Sequence, residues 1–285
     1  MRKIDLVPGI SSSVLGFGCA PIMGNVNADT AARAISVALD RGVNHFDIAR
    51  SYGYGRAESF LGDQLRSARP RVVIASKFGI RANWKASIMR PAKPILRMLR
   101  RRRPAPATAE TAPPVEGRFN PLMGQLFDRV PLRAKNLRAN LEESLTALRT
   151  DYLDYLFVHE SDHRIERWEE LLREADRLKQ AGKIRAFGMT CMQHHRHLHA
   201  DYLHLFDVLQ TNVPTEREAY DRLVAGGTGG HVFYSPMQAP LPGLSPPEKL
   251  SRLATDLPGS IILCSMFKPR HIIENARVVT AVHSR

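Results

Sequence analysis

The chain has 285 residues, 44% of them apolar, with 41 Lys plus Arg against 28 Asp plus Glu and three cysteines. That apolar share excludes a disordered scaffold, and the length suffices for a sizeable core in one long domain or two short ones. No apolar stretch, Ser260 to Phe267 included, reaches the roughly 18 residues of a membrane helix, and the start MRKIDLVPG lacks a signal-peptide core, so no membrane partner is expected. Cys19, Cys191 and Cys264 are odd in number, widely spaced and without a Cys-x-x-Cys pair, which argues against a disulfide framework or a structural zinc site and for the reducing cytoplasm. The net charge of +13 is uneven: Arg81 to Arg103 holds nine basic residues and no acidic one. The remainder carries about +4 and has the balance of an enzyme-sized globule.

In chain order, short β-rich runs alternate with longer amphipathic ones. Residues 2 to 13 can form a small hairpin. Strands are expected at Val14 to Gly18, Val43 to Asp47, Arg71 to Ser76, Leu153 to Val158, Ile184 to Met189, Val208 to Gln210, Val232 to Ser235 and Ser260 to Cys264. Helical patterns run Asp29 to Arg41, Glu58 to Arg66, Pro131 to Arg149, Ile165 to Ala181, Thr215 to Val224 and Pro269 to Val279. Asp29 can cap the first, and Gly42 and Gly182 follow two of the helices as C′ glycines do.

Eight β/α units over residues 1–285 predict an α/β fold, a single-domain (β/α)₈ TIM barrel. The runner-up, a doubly wound sheet, would be favoured by a Gly-x-Gly-x-x-Gly turn, and Gly16-Phe17-Gly18-Cys19-Ala20-Pro21 lacks the third glycine. One long basic insert, residues 81–128, interrupts the pattern between the third strand and the third helix. That connection belongs to the C-terminal face, where barrel active sites are built.

Ionisable residues at the C-terminal strand ends converge on the barrel mouth. Asp47 ends the second strand, Lys77 the third and His159 the fourth, with Tyr52 in the loop after Asp47. A free tyrosine, with a pKa near 10, is a poor acid at neutral pH, but a nearby ammonium favours the phenolate and lowers that value. Lys77 can supply the ammonium, Asp47 can hold it charged, and His159 can hydrogen-bond and orient a carbonyl.

Around these residues the sequence resembles the aldo-keto reductase family. Phe46-Asp47-Ile48-Ala49-Arg50-Ser51-Tyr52-Gly53, followed by Gly55 and Glu58, resembles its Phe-Asp-Thr-Ala-x-x-Tyr-Gly motif, and Ser76-Lys77-Phe78-Gly79 resembles its lysine strand. Leu137 to His159 resembles its helix and histidine strand. Gly182 to Gly188, Gln210-Thr211-Asn212, Tyr234-Ser235-Pro236-Met237 and Pro269 to Asn275 extend the likeness. The resemblance implies a barrel oxidoreductase that interconverts a carbonyl and an alcohol with a nicotinamide cofactor, Tyr52 serving as general acid/base in a tetrad with Asp47, Lys77 and His159.

It further implies a cofactor laid over the mouth. Gly18, Cys19 and Ala20 would face the nicotinamide ribose, with Asp47 beside them, Thr190 and Gln210 the carboxamide, and Tyr234 the nicotinamide ring. Ser235 and Met237 would follow the pyrophosphate, and His271, Glu274 and Asn275 the adenosine. Cys191 stands where the family has asparagine, and the eighth strand lacks its Gly-Thr or Lys-Ser pair. Lys268, Arg270 and His271 gather positive charge suited to a 2′-phosphate, favouring NADP over NAD. The alternative reading is a non-enzymatic cofactor-binding or redox-sensing regulatory module on the same barrel.

The other features have plain readings. His194, His195, His197, His199 and His204 read as a helical surface face and not a metal site, and Gly226 to Gly230 lacks the Lys-Ser/Thr of a phosphate loop and reads as a turn. Cys191 reads as a small packing residue. Arg100 to Arg103 reads as a solvated run, with recruitment of an anionic substrate or partner next. Nucleic acid comes last, since Trp84 is the sole aromatic in the basic segment.

Overall fold

Alternation along the strands decides which side chains enter the barrel. In this computed structural model, which describes residues 1–88, 125–159, 161–227 and 230–282, strand β1 (Lys3–Asp5) pairs antiparallel with β2 (Ser11–Ser13), the expected hairpin. Eight parallel strands follow: β3 (Leu15–Gly18), β4 (His45–Asp47), β5 (Val73–Phe78), β8 (Leu153–Val158), β9 (Ile184–Thr190), β10 (Val208–Asn212), β11 (His231–Tyr234) and β12 (Ile261–Cys264). They close in that order, β12 returning to β3 with Ile262 opposite Leu15. The fold is the predicted (β/α)₈ barrel.

One set of alternate residues, including Val73, Ala75, Tyr155, Phe157, Ala186, Val232, Ile261 and Leu263, packs inside the barrel, and Ile10 from the hairpin joins it. The other set, including Phe17, Phe46, Ile74, Leu156, Phe187, Phe233 and Ile262, packs outward against the helices. Gly188 is small because a Cβ there would collide with the Phe157 ring that fills the barrel beside it. Continuing the inward set by one more step brings Asp47, Lys77 and His159 to the C-terminal mouth, which is why three strands deliver polar groups to one place.

The helices among the described residues are α1 (Ala28–Asp40), α2 (Ala57–Leu65), α3 (Trp84–Ile88), α4 (Ala134–Leu148), α5 (Trp168–Gln180), α6 (Arg217–Ala225), α7 (Pro246–Asp256) and α8 (Pro269–Ala281). In α1 the buried residues Ala31, Ala34, Ile35 and Ala38 form one stripe, the spacing that made it readable as a helix. None of these helices is long and apolar enough to cross a membrane.

Four expectations need correction. Asn27, not Asp29, caps α1: its side chain accepts from the Thr30 N–H, while Asp29 sits in the first turn. Helix α7 was not foreseen, although Ser245 and Glu248 form a reciprocal capping box at its start. Lys77 does not end β5 but lies one residue inside it, because pairing with β8 extends the strand to Phe78. His194, His195, His197 and His199 occupy a 3₁₀ segment, Gln193–His199, His204 lies in a separate 3₁₀ turn, Leu203–Leu205, and His199 is fully buried. Its Nε2–H donates to the Ser161 carbonyl and its Nδ1 accepts from the Tyr202 hydroxyl, so it belongs to the core and not to a surface face.

The ends of the insert form a ribbon, β6 (Ile80–Ala82) against β7 (Phe127–Arg129). Most of the body, Arg100 to Arg103 included, lies outside the described residues, as do Thr228 and Gly229 of the glycine-rich run.

Candidate active site

Lys77 is 2% exposed, and a buried ammonium is tolerated only when paired and hydrogen-bonded. Its Nζ donates to Asp47 Oδ1 at 2.5 Å and to the Ile48 carbonyl at 3.0 Å, and lies 3.4 Å from the Tyr52 hydroxyl. The other carboxylate oxygen, Asp47 Oδ2, accepts from Gln210 Nε2 at 2.7 Å, and Gln210 Oε1 accepts from Thr190 Oγ1 at 2.8 Å. A continuous chain thus runs from Thr190 through Gln210 and Asp47 to Lys77 and Tyr52, across β9, β10, β4 and β5.

Tyr52 is half-buried on a 3₁₀ turn, Tyr52–Gly55, in which Gly53 and Tyr54 both have left-handed backbone. Glycine is required at 53: with φ at 58°, a Cβ would come within 2.6 Å of the Ile22 carbonyl oxygen and 2.8 Å of Met23 Cβ. The turn is therefore pressed against the β3–α1 loop. On its other side the Tyr54 ring stacks on Phe127 at the foot of the insert, with ring centroids 6.1 Å apart.

His159 faces Tyr52 edge to face, with ring centroids 6.1 Å apart. Burial first, then the positive charges of Lys77 and Arg129, hold its pKa well below the ordinary histidine value. At neutral pH the ring is neutral, and its buried Nδ1 has no hydrogen-bond partner among the described residues. The site therefore offers one ammonium, one hydroxyl beside it and one neutral imidazole, the last unable to serve as an acid near neutrality. Such a set can receive a carbonyl oxygen between Tyr52 and His159.

The sequence profile of the aldo/keto reductase family matches residues 14–201, which includes β3 to β9 and all four of these residues. The chain belongs to the aldo/keto reductase family. Among curated aldo-keto reductase relatives and others, it is 29% identical over 197 residues to a pyridoxal 4-dehydrogenase from Microbacterium luteolum, covering 64% of this chain and 52% of that one. It is 29% identical over 190 residues to the aldo-keto reductase YhdN of Bacillus subtilis, covering 64% and 44%. The chain thus spans about half the length of the curated relatives it matches. Among solved structures, the holo form of an aldo-keto reductase from Bacillus halodurans superposes with a TM-score of 0.67 at 20% identity, covering 98% of this chain and 91% of that one. An aldo-keto reductase from Klebsiella pneumoniae in complex with NADPH gives 0.64 at 16% identity, covering 98% and 89%.

The remaining candidate residues are spread around the same mouth. The Gly18 carbonyl accepts from Ser265 Oγ at 3.1 Å, and Cys19 is buried behind it, burial raising its thiol pKa well above the ordinary value. Ala20 is half-buried in the following loop. Tyr234 closes the inward column of β11, and Ser235 turns the chain there through left-handed backbone, φ 57°. The Met237 carbonyl accepts from Lys249 of α7 at 3.2 Å, so the unforeseen helix anchors the loop that carries Ser235 and Met237. Lys268 stands at the N-cap of α8 without a side-chain cap, followed by exposed Arg270 and half-buried His271. Glu274 is exposed, whereas Asn275 is buried with its amide toward Cys264 Sγ. Cys191 is buried, its thiol directed to the Met192 carbonyl.

Proposed function

We propose that this chain is an NAD(P)H-dependent oxidoreductase that interconverts an aldehyde or ketone and the corresponding alcohol, with Tyr52 as the general acid/base. The observation that carries the reading is the buried Lys77 ammonium, held by Asp47 and set 3.4 Å from the Tyr52 hydroxyl. An ammonium at that distance stabilises phenolate over phenol, so the hydroxyl gives up its proton more readily than an ordinary tyrosine. In the reducing direction Tyr52 passes its proton to the carbonyl oxygen, and Lys77 stabilises the charge left behind. His159, neutral at working pH, hydrogen-bonds the same oxygen and fixes which face of the carbonyl is presented.

The residues around the mouth suit a dinucleotide. Thr190 and Gln210 are hydrogen-bonded to Asp47 of the tetrad in series, Ser265 Oγ donates to the Gly18 carbonyl, and the start of α8, which has no side-chain cap and carries Lys268, Arg270 and His271, favours an anionic group. The nicotinamide, when bound, supplies the hydride. Gly18, Cys19, Ala20, Asp47 and Tyr234 would border its nicotinamide end, Met237 and Ser235 its pyrophosphate, and Glu274 and Asn275 its adenosine end. The positive start of α8 leads us to prefer NADP over NAD, and the ribbon at the root of the insert would flank a small, anionic substrate. Turnover of a panel of carbonyl compounds with NADPH and with NADH, alongside fluorescence titration of both cofactors, tests this. Saturable NADPH binding with carbonyl-dependent oxidation is expected; tight binding without turnover of any substrate would instead support a regulatory module.

A further inference from the structure

A second buried carboxylate lies directly behind the tetrad. Glu58, in the first turn of α2, is 1% exposed. Both of its oxygens are occupied: Oε1 accepts from Ser76 Oγ at 2.6 Å and Oε2 from Arg50 Nη1 at 2.8 Å. Each partner is a near neighbour of a reacting side chain. Ser76 precedes Lys77 on β5 and faces outward where Lys77 faces inward, and Arg50 precedes Tyr52 by two residues in the β4–α2 connection. Arg50 is further tied by Nη2 to Glu143 of α4, at 2.8 Å. The resembling motif leaves position 50 open, so this arginine is a choice of the present chain.

We propose that Glu58, with Arg50 and Ser76, is a positioning device that sets the separation of Tyr52 and Lys77 and thereby the proton transfer in the reaction put forward above, on which the proposal rests. The strand bearing Lys77 and the loop bearing Tyr52 are otherwise joined at this point by the Ile48 N–H to the Ala75 carbonyl and by Lys77 itself. Glu58 adds a rigid link on the far side of both. If the link is lost and the pair separates by about 1 Å, the attraction between ammonium and phenolate falls by the equivalent of about one pKa unit at an effective dielectric near 20.

Ser76→Ala is the cleanest probe, since it removes one hydrogen bond, changes no charge and lies outside the barrel interior. We expect kcat to fall about tenfold, with KM and cofactor Kd within about twofold. The ionisation of Tyr52, read without turnover from the tyrosinate difference spectrum against Tyr52→Phe, should move up by as much as one unit. Glu58→Gln keeps an acceptor for Ser76 but breaks the ion pair, and Ser76→Ala added to it should cost less than the product of the two single effects. If Ser76→Ala fails to fold, Arg50→Gln, at a half-buried position, serves with the same readouts. A folded variant with lowered stability but unchanged kcat and unchanged Tyr52 ionisation would overturn the proposal. A wild type that turns over no carbonyl, while Ser76→Ala still moves the Tyr52 ionisation, would overturn the proposed reaction and leave the positioning role standing.

Discussion

Two arcs of the barrel share one architecture and differ in what they bring to the mouth. From β3 to β9 the strands deliver Asp47, Lys77 and His159, all at most 6% exposed, with Asp47 and Lys77 in a network whose distances lie between 2.5 and 3.4 Å and the His159 ring edge to face with Tyr52. From β10 to β12 only Gln210, buried within β10, joins that network, the strand ends carry Tyr234 and Ser265, and the charge sits outside the barrel at the start of α8. The family profile ends at residue 201, at the boundary between the arcs. Groups that must be buried and charged together have few arrangements open to them, so their motif stays recognisable. The second arc lacks such a buried charged pair among the described residues, and its last strand lacks the Gly-Thr or Lys-Ser pair of the family pattern.

Substitutions in the first arc should have the largest effects. Lys77→Met should lower kcat by about 10²-fold or more by removing the charge beside Tyr52, with cofactor affinity little changed, as steady-state kinetics and fluorescence titration would show. Asp47→Asn should cost about 3 to 5 kcal/mol in chemical denaturation, because it leaves the Lys77 ammonium buried without its counter-charge. If Asp47→Asn left stability intact, the ion pair would not be what organises this arc.

How much of this was readable follows the same divide. Strand β8 runs Leu153–Val158, as the alternation predicts, and Asp47, Lys77 and His159 from three neighbouring strands meet Tyr52 from the loop after β4. Glu58 and Gln210 were legible only as family positions. A glutamate in the first turn of a helix ordinarily faces water, and nothing along the chain says that Ser76 and Arg50 will enclose it. Gln210 is expected from the resemblance to face a carboxamide, and the structure adds what the motif does not say, that its amide also bridges Asp47 and Thr190. Helix α7 carried a readable Ser-x-x-Glu start that was masked by its two prolines, Pro246 and Pro247, which in fact suit the first helical turn.

A smaller effect sharpens the picture of the lumen. His45 points into the barrel one step below Asp47, and burial, opposed in part by Asp47 and Asp154, lowers its pKa from 6.5 to about 4. The folded state thus prefers the neutral ring. Its contribution is fully present above about pH 6.5 and is lost as pH falls toward 4, by up to about 3 kcal/mol. Urea denaturation between pH 7 and 4 should show that decline, and His45→Asn should flatten it. From the second arc, Lys268→Ala with Arg270→Ala should raise the NADPH Kd about three- to tenfold and leave NADH nearly unchanged, with the difference shrinking in added salt. An equal loss for both cofactors would remove the reason for preferring NADP.

The central claim is that the hydroxyl held beside Lys77 carries the proton of the reaction. Tyr52→Phe, measured for turnover of a carbonyl substrate and for NADPH binding in the same preparation, tests it most directly. Turnover should fall by about 10²-fold or more with cofactor Kd within about twofold, since only the phenolic hydroxyl is removed. Turnover that survives the substitution would contradict the account.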